Sequence, residues 1–136
     1  MDALIIKEDE GIPKIILDKE RNIFEISGNS LPEDIIGFYL PVYKWIEEYS
    51  KQPNPVTKLV VKLNYFNSSS SKAILDIIYN LAEISYKGFK VEVEWHYMEM
   101  DDDNLLTGKE FEGFAKIPFK FIPYQDDGST YRFKVE

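Results

Sequence analysis

Apolar side chains recur along this chain at two spacings, and these spacings predict alternating strands and helices. From Lys90 to Tyr97 every second residue is apolar, as in a strand with one buried face. After Pro32, apolar residues recur every three or four positions, as on one face of a helix. The predicted strands are Ile12 to Leu17, a short run around Ile23 to Ile26 that Gly28 and Asn29 end, Thr57 to Phe66, Lys90 to Tyr97, and Ile117 to Ile122. The predicted helices follow Pro32, follow the serine run Ser68 to Ser71, and cover about Leu105 to Ala115.

The start and middle of the first helix carry their own signals. Ser30 and Glu33 have the spacing of a capping box, with Pro32 in the first turn. Pro41 lies within the apolar pattern, where its ring conflicts with the carbonyl group of Gly37. The sequence therefore predicts a kink, or two abutting helices, at Pro41.

This order of elements predicts an α/β protein with one domain over residues 1–136. Strands with one apolar and one polar face, separated by helices, favour an open mixed β-sheet with helices mainly on one face. The first two strands are expected to form a hairpin. In the segment 123–136, Asp127 and Gly128 indicate a turn, and Tyr131 to Val135 fits either an extra edge strand or a flexible tail.

Composition narrows the classes of function. The chain has 136 residues with 24 acidic and 16 basic side chains, for a net charge of −8, so it is expected to repel nucleic acid. It contains no cysteine, which excludes disulfides and thiolate chemistry. Its apolar runs are too short to span a membrane, and its N-terminus is too acidic for a signal peptide. The sequence thus predicts a soluble cytoplasmic protein.

The serine run lies where the strand ending at Phe66 passes into a helix. One of the four serines, Ser68 to Ser71, is expected to cap that helix. Lys72 follows them, although a cation near a helix N-terminus opposes the helix dipole. Free backbone N–H groups, the dipole and a lysine together favour an anion, supplied by a ligand or by a phosphate on a serine.

The residues around this run resemble the SiaC family of bacterial regulatory phosphoproteins, which have a STAS-like fold. The stretch from Leu63 to Lys72 is similar to the family pattern L-x-Y-F-N-[TS]-S-S-x-K. Weaker similarities follow in order from Ile12 to Ile122, among them the Pro32-Glu33 pair and the Pro118-Phe119 pair. The segment 123–136 lies beyond the resemblance.

The resemblance implies the switch component of a partner-switching module. In this family, a dedicated kinase phosphorylates the hydroxyl residue after the motif asparagine, and a PP2C-type phosphatase removes the phosphate. The bare form binds and activates a diguanylate cyclase, which raises cyclic di-GMP and promotes biofilm formation. By motif position the phosphorylation site is Ser68, where the family often has threonine, and Ser69 is the alternative. The expected partner-binding residues are Asn67, Ser68, Ser69, Ser70 and Lys72.

Two other functions stay open from the sequence. Asp101, Asp103 and Glu110, in the acidic region 101–112, suggest a carboxylate- or metal-dependent hydrolase. A scaffolding domain that does not switch is the other. The single histidine, His96, forms neither a triad nor a metal cluster, so no catalytic residue, metal or cofactor is predicted.

Overall fold

Three strands begin this chain, and helices and strands then alternate along it. The computed structural model describes residues 1–125. Its strands are β1 (Leu4–Ile6), β2 (Lys14–Asp18), β3 (Ile23–Ser30), β4 (Val56–Phe66), β5 (Lys90–Met98) and β6 (Phe119–Tyr124). Its helices are α1 (Ile35–Tyr49), α2 (Ser68–Ser85) and α3 (Asp102–Ala115).

The six strands form one mixed sheet whose spatial order equals their order in the chain. β1, β2 and β3 pair antiparallel, which confirms the predicted hairpin of β2 and β3. β3, β4, β5 and β6 pair parallel, so each connection between them is a crossover through one helix. The C-terminal ends of β3, β4 and β5 therefore lie at one edge of the sheet, and all three helices begin there.

The helices cover one face of the sheet, as predicted. The inward residues of β2 to β5 and the apolar stripes of the helices form a single buried cluster, which includes Ile26, Val61 and Trp95. The opposite face carries polar side chains on neighbouring strands. There Lys62 of β4 is paired with Ser27 of β3 on one side and with His96 of β5 on the other. The prediction of an open mixed α/β sheet with helices on one face is confirmed.

Helix α1 begins later than its sequence signals predict. Its N-cap is Asp34, whose carboxylate accepts a hydrogen bond from the backbone N–H of Gly37 at 3.0 Å. Ser30 is instead the last residue of β3 and is fully buried. The capping-box prediction is wrong because tertiary contacts hold the Ser30 side chain in the core. Of the two alternatives predicted at Pro41, two abutting helices is wrong, since α1 continues through Pro41, and the kink stays a prediction.

The last elements differ from the prediction in their bounds. Helix α3 begins at Asp102 and not near Leu105, so the acidic stretch is not wholly a loop. β1 was not predicted, and β6 begins two residues later than expected. Pro123 belongs to β6, whereas the predicted turn at Asp127 and Gly128 and the predicted edge strand Tyr131 to Val135 lie outside the described residues.

Candidate functional site

The serine run forms the first turn of α2, but none of its members caps the helix. Asn67 has extended backbone angles and is the N-cap. Its side-chain oxygen accepts a hydrogen bond from the backbone N–H of Ser70 at 2.9 Å. The prediction that a serine caps α2 is therefore wrong. Asparagine caps as well as serine does, and Asn67 is the residue at which the extended chain turns into the helix.

The four serines differ in exposure. Ser68 and Ser69 are exposed, Ser71 is half-buried, and Ser70 has no accessible surface. Lys72 is exposed, and Asn67 is half-buried. The expectation that Ser70 contacts a partner directly is corrected, since its side chain lies in the core. Two exposed hydroxyl groups, those of Ser68 and Ser69, remain at this helix end.

Ser70 belongs to a buried chain of three hydroxyl groups. Ser30 Oγ donates to Ser70 Oγ at 2.8 Å, and Ser30 Oγ lies 2.6 Å from the phenol oxygen of Tyr39. All three side chains are fully buried. This chain of hydroxyl groups connects the start of α2 to the end of β3 and to α1. The sequence signal for it was weak: a buried tyrosine needs a partner for its hydroxyl group, but the partner is set by the fold.

Burial also changes the acidity of Tyr39, which lies at one end of these three hydroxyl groups. Removal of the Tyr39 phenol from water raises its pKa to about 12, because the charged phenolate is disfavoured in the core. The hydrogen bond with Ser30 opposes this shift only in part. Tyr39 is therefore protonated and able to donate a hydrogen bond at any physiological pH.

The end of β4, directly before the site, carries a β-bulge. Gly28 pairs with Leu63 and Asn29 with Tyr65, so Asn64 is an extra residue in β4. The bulge leaves Tyr65 47% exposed and turns Phe66 inward, where its ring meets that of Trp95 edge-on at 6.3 Å. The two aromatic residues therefore face opposite sides of the sheet edge. The pattern of apolar residues in β4 does not reveal the bulge that produces this arrangement.

Of the three carboxylates in the predicted hydrolase site, Asp101 and Asp103 lie at the start of α3, and Glu110 lies further along the same helix. Asp101 is the N-cap of α3 and accepts from the backbone N–H of Asn104 at 3.0 Å, while Asp102 and Asp103 occupy the first turn. These carboxylates match the positive end of the helix dipole. Within residues 1–125, no group of three Asp, Glu or His side chains lies close enough to hold a metal ion.

A small cavity separates this acidic turn from the end of β4. Its volume is about 270 Å³. Its lining residues are Asn64, Tyr65, Phe66, Asp101, Asp103, Asn104 and Thr107. The acidic start of α3 therefore faces the residues that lead directly into the serine run.

His96 lies away from this edge, on the open face of the sheet. It forms a hydrogen bond of 2.8 Å with Glu94, and Lys58 lies 3.3 Å from the same carboxylate group. The hydrogen bond with His96, followed by the Lys58 contact, holds the pKa of Glu94 below its usual value despite partial burial. These three side chains join neighbouring strands β4 and β5.

Comparisons with known proteins agree with the motif around Ser68. A sequence model described as "SiaC family regulatory phosphoprotein" matches residues 6–124. An uncharacterized protein of Pseudomonas aeruginosa is 29% identical over 119 residues, which are 88% of this chain and 94% of that protein.

Solved structures of SiaC from Pseudomonas aeruginosa share the fold. Apo-SiaC superimposes with a TM-score of 0.83 at 28% identity, covering 90% of this chain and 99% of that one. A structure of the diguanylate cyclase SiaD in complex with its activator SiaC gives a TM-score of 0.81 at 27% identity, covering 89% and 99%. In the part of this chain that is described, no helix is long and apolar enough to cross a membrane.

Proposed function

This chain belongs to the SiaC family of regulatory phosphoproteins, and we propose that it is the phosphorylated switch component of a partner-switching module. A kinase adds a phosphate to Ser68, and a PP2C-type phosphatase removes it. The bare form binds an output protein and activates it. We also propose that the module works in the cytoplasm and that the whole chain, residues 1–136, forms one regulatory domain.

The exposure of Ser68 at the start of α2 is the observation that carries the proposal. Ser68 follows the motif asparagine directly and is exposed at the first helical position. Asn67 caps only the N–H of Ser70. The N–H of Ser71 bonds to the carbonyl group of Asn67, so the N–H groups of Ser68 and Ser69 are the ones left for a phosphate at this helix start. Ser69 is exposed as well and is the alternative site.

The output protein is proposed from the relatives. SiaC of Pseudomonas aeruginosa is the activator of the diguanylate cyclase SiaD. We propose that this chain likewise binds a diguanylate cyclase and so controls cyclic di-GMP and biofilm formation. We propose that its own role is binding and not catalysis: Asp101 and Asp103 lie at the start of α3, whereas Glu110, the third carboxylate considered for hydrolysis, lies further along the helix.

The charges around Ser68 suggest how the phosphate acts. A phosphoserine carries about −1.5 to −2 charges at neutral pH. The cation nearest in sequence is the exposed Lys72, while three aspartates stand at the start of α3, across the cavity at the end of β4. We propose that the phosphate is attracted by the free N–H groups at the start of α2 and repelled by these aspartates, so it stays at the contact surface. There it blocks a partner by its bulk and by the cost of removing its water.

The proposed contact surface combines polar and apolar groups. Asn67, Ser68, Ser69 and Lys72 supply polar contacts, and the exposed ring of Tyr65 adds an aromatic one. Aromatic residues are enriched where proteins bind one another. Ser70 is not part of this surface, because it is buried.

The test is phosphosite mapping by mass spectrometry on the chain isolated from its own host. Ser68→Ala and Ser68→Asp are then compared with the unchanged chain for recovery of diguanylate cyclases and for cellular cyclic di-GMP. Ser85→Ala is the matched control, because it removes a serine from the other end of α2. We expect phosphate on Ser68, retained cyclase binding in Ser68→Ala, and weakened binding in Ser68→Asp.

Other outcomes separate the alternatives. Phosphate on Ser69 alone would move the site by one residue and keep the mechanism. Binding that does not respond to either Ser68 substitution or to phosphate would indicate a scaffolding domain. A serine run that carries no phosphate while the kinase is active would refute the proposal.

A further inference from the structure

The direction of the buried hydroxyl chain follows from counting protons. A hydroxyl group has one proton, and Ser30 gives its proton to Ser70. Ser30 must therefore accept from Tyr39 in the 2.6 Å contact between them. Along the hydroxyl chain, Tyr39 donates to Ser30 and Ser30 donates to Ser70. The complete hydroxyl chain needs all three groups.

Two hydrogen bonds hold Ser70 in place, one from the hydroxyl chain and one from the helix cap. Its side-chain oxygen accepts from Ser30, and its backbone N–H donates to Asn67 Oδ1. Each residue of an α-helix is rotated by about 100° from the one before it. With Ser70 held inward, Ser69 and Ser68 turn away from the core, in agreement with their exposure.

We propose that the hydroxyl chain Tyr39–Ser30–Ser70 keeps Ser70 from being phosphorylated and so directs the kinase to Ser68 and Ser69. The inference rests on the proposed phosphorylation of this run and adds its specificity. The run offers four chemically identical hydroxyl groups within four residues, so the sequence alone provides a kinase with little basis for choosing among them. The hydroxyl chain withdraws Ser70 into the core, and Ser71 is half-buried, so Ser68 and Ser69 are the exposed serines of the run.

Removing one hydroxyl group of the hydroxyl chain should make phosphorylation of the serine run less selective. Ser30→Ala deletes the central hydroxyl group and leaves both Tyr39 and Ser70 without their partner. Loss of a buried hydrogen bond of this kind should raise the open population of the first turn by about tenfold. Ser70 and Ser71 then become accessible for a correspondingly larger fraction of the time.

A second tyrosine of α1 supplies the matched control. Tyr49 forms a 2.7 Å hydrogen bond with Thr57, and both are buried, as in the Tyr39–Ser30 pair. Tyr49 is the last residue of α1, whereas Tyr39 lies in its second turn. Tyr49→Phe therefore removes this buried bond, together with the 3.0 Å bond that the Tyr49 hydroxyl accepts from the backbone N–H of Asn54, at the end of the helix far from the serine run.

The experiment maps phosphate among the four serines in chains isolated from their own host. The unchanged chain, Ser30→Ala, Tyr39→Phe and Tyr49→Phe are compared, and amide hydrogen exchange of the first turn of α2 is measured on the same samples. We expect phosphate on Ser68 or Ser69 in the unchanged chain and in Tyr49→Phe. In Ser30→Ala, the share of phosphate on Ser70 and Ser71 and the exchange rate of the turn should both rise by about tenfold. In Tyr39→Phe both should rise by less, because Ser30 can still donate to Ser70.

The outcomes are separable. An unchanged distribution in Ser30→Ala and Tyr39→Phe, or an equal broadening in Tyr49→Phe, overturns this inference while the switch stands. Phosphate on Ser70 in the unchanged chain also overturns it. A run without phosphate in a host whose kinase is active refutes the proposed function, and the inference falls with it.

Discussion

The ionisation of the Tyr39 phenol makes the stability of this protein depend on pH. Its pKa is raised from 10.0 to about 12 by burial, so the folded state holds the proton more tightly than the unfolded state. This contribution to stability is complete below pH 10 and is lost as the pH rises from 10 to 12. A shift of two units corresponds to about 3 kcal/mol in the free energy of unfolding.

Urea denaturation of the unchanged chain and of Tyr39→Phe across this range measures the contribution. Other tyrosines and lysines titrate in both proteins, so only the difference between the two curves reports Tyr39. We expect the stability advantage of the unchanged chain to shrink by about 3 kcal/mol between pH 10 and pH 12. Parallel curves would show that Tyr39 titrates as it does in the unfolded chain.

The side chain of Asn67 is a second single-residue determinant. It supplies the cap of α2 directly before the proposed phosphorylation site. Asn67→Ala should lower the free energy of unfolding by about 1 kcal/mol, because the N–H of Ser70 loses its acceptor. Asn67→Asp is the control, since a carboxylate keeps the acceptor and favours the helix dipole. Denaturation midpoints that do not separate alanine from aspartate would contradict this role.

At the scale of the element, α3 approaches the sheet most closely around Trp95. The indole N–H of Trp95 donates to Asn104 at 2.8 Å, and Asn104 donates to the carbonyl group of Leu63 at 3.0 Å. Gly108 lies against the same indole ring, where an added Cβ would come within 2.7 Å of its nitrogen atom. The helix can pack this closely because residue 108 has no side chain.

Two glycines of α3 test this packing. Gly108→Ala should destabilise the fold by about 1–3 kcal/mol, because the methyl group displaces Trp95 from its partner. Gly113→Ala lies one and a half turns further along the same helix with no atom within 4 Å of an added Cβ. It should stabilise the protein by up to about 1 kcal/mol through helix propensity. Changes of the same sign in chemical denaturation would refute the packing argument.

Most elements were predictable from the sequence because their patterns are long. The alternation from Lys90 to Met98 and the apolar stripe of α2 each repeat over several periods. β1 has only three residues and offers no such repeat. The bulge at Asn64 was not predictable either, since it arises from the pairing of β4 with β3 and not from β4 alone.

The caps and the site show the same limit. Ser30 and Asp34 are both good caps for α1, and the burial of Ser30 decides between them. The position of Ser68 at a helix start followed from the pattern of local residues. The withdrawal of Ser70 did not, because it depends on Ser30, 40 residues earlier in the chain.

For the whole molecule, the placement of Ser68 predicts a switch that works without refolding. Ser68 is exposed, and the residues behind it are held by the cap of Asn67 and by the bonds of Ser70. A phosphate on Ser68 enters solvent and displaces no buried group. It leaves intact the single core that joins the helices to the sheet. The difference between the two forms is then one of surface charge and shape.

Amide NMR spectra of the bare and phosphorylated chains distinguish this mechanism from a conformational one. We expect shift changes confined to the end of β4, the first two turns of α2 and the start of α3. The amide signals of Val61 and Val93, on the buried face of the central strands, should stay in place. Ser85 at the far end of α2 serves as an internal control. Changes that reach the central strands would mean that the phosphate rearranges the sheet, and that partner choice is set by fold as well as by surface.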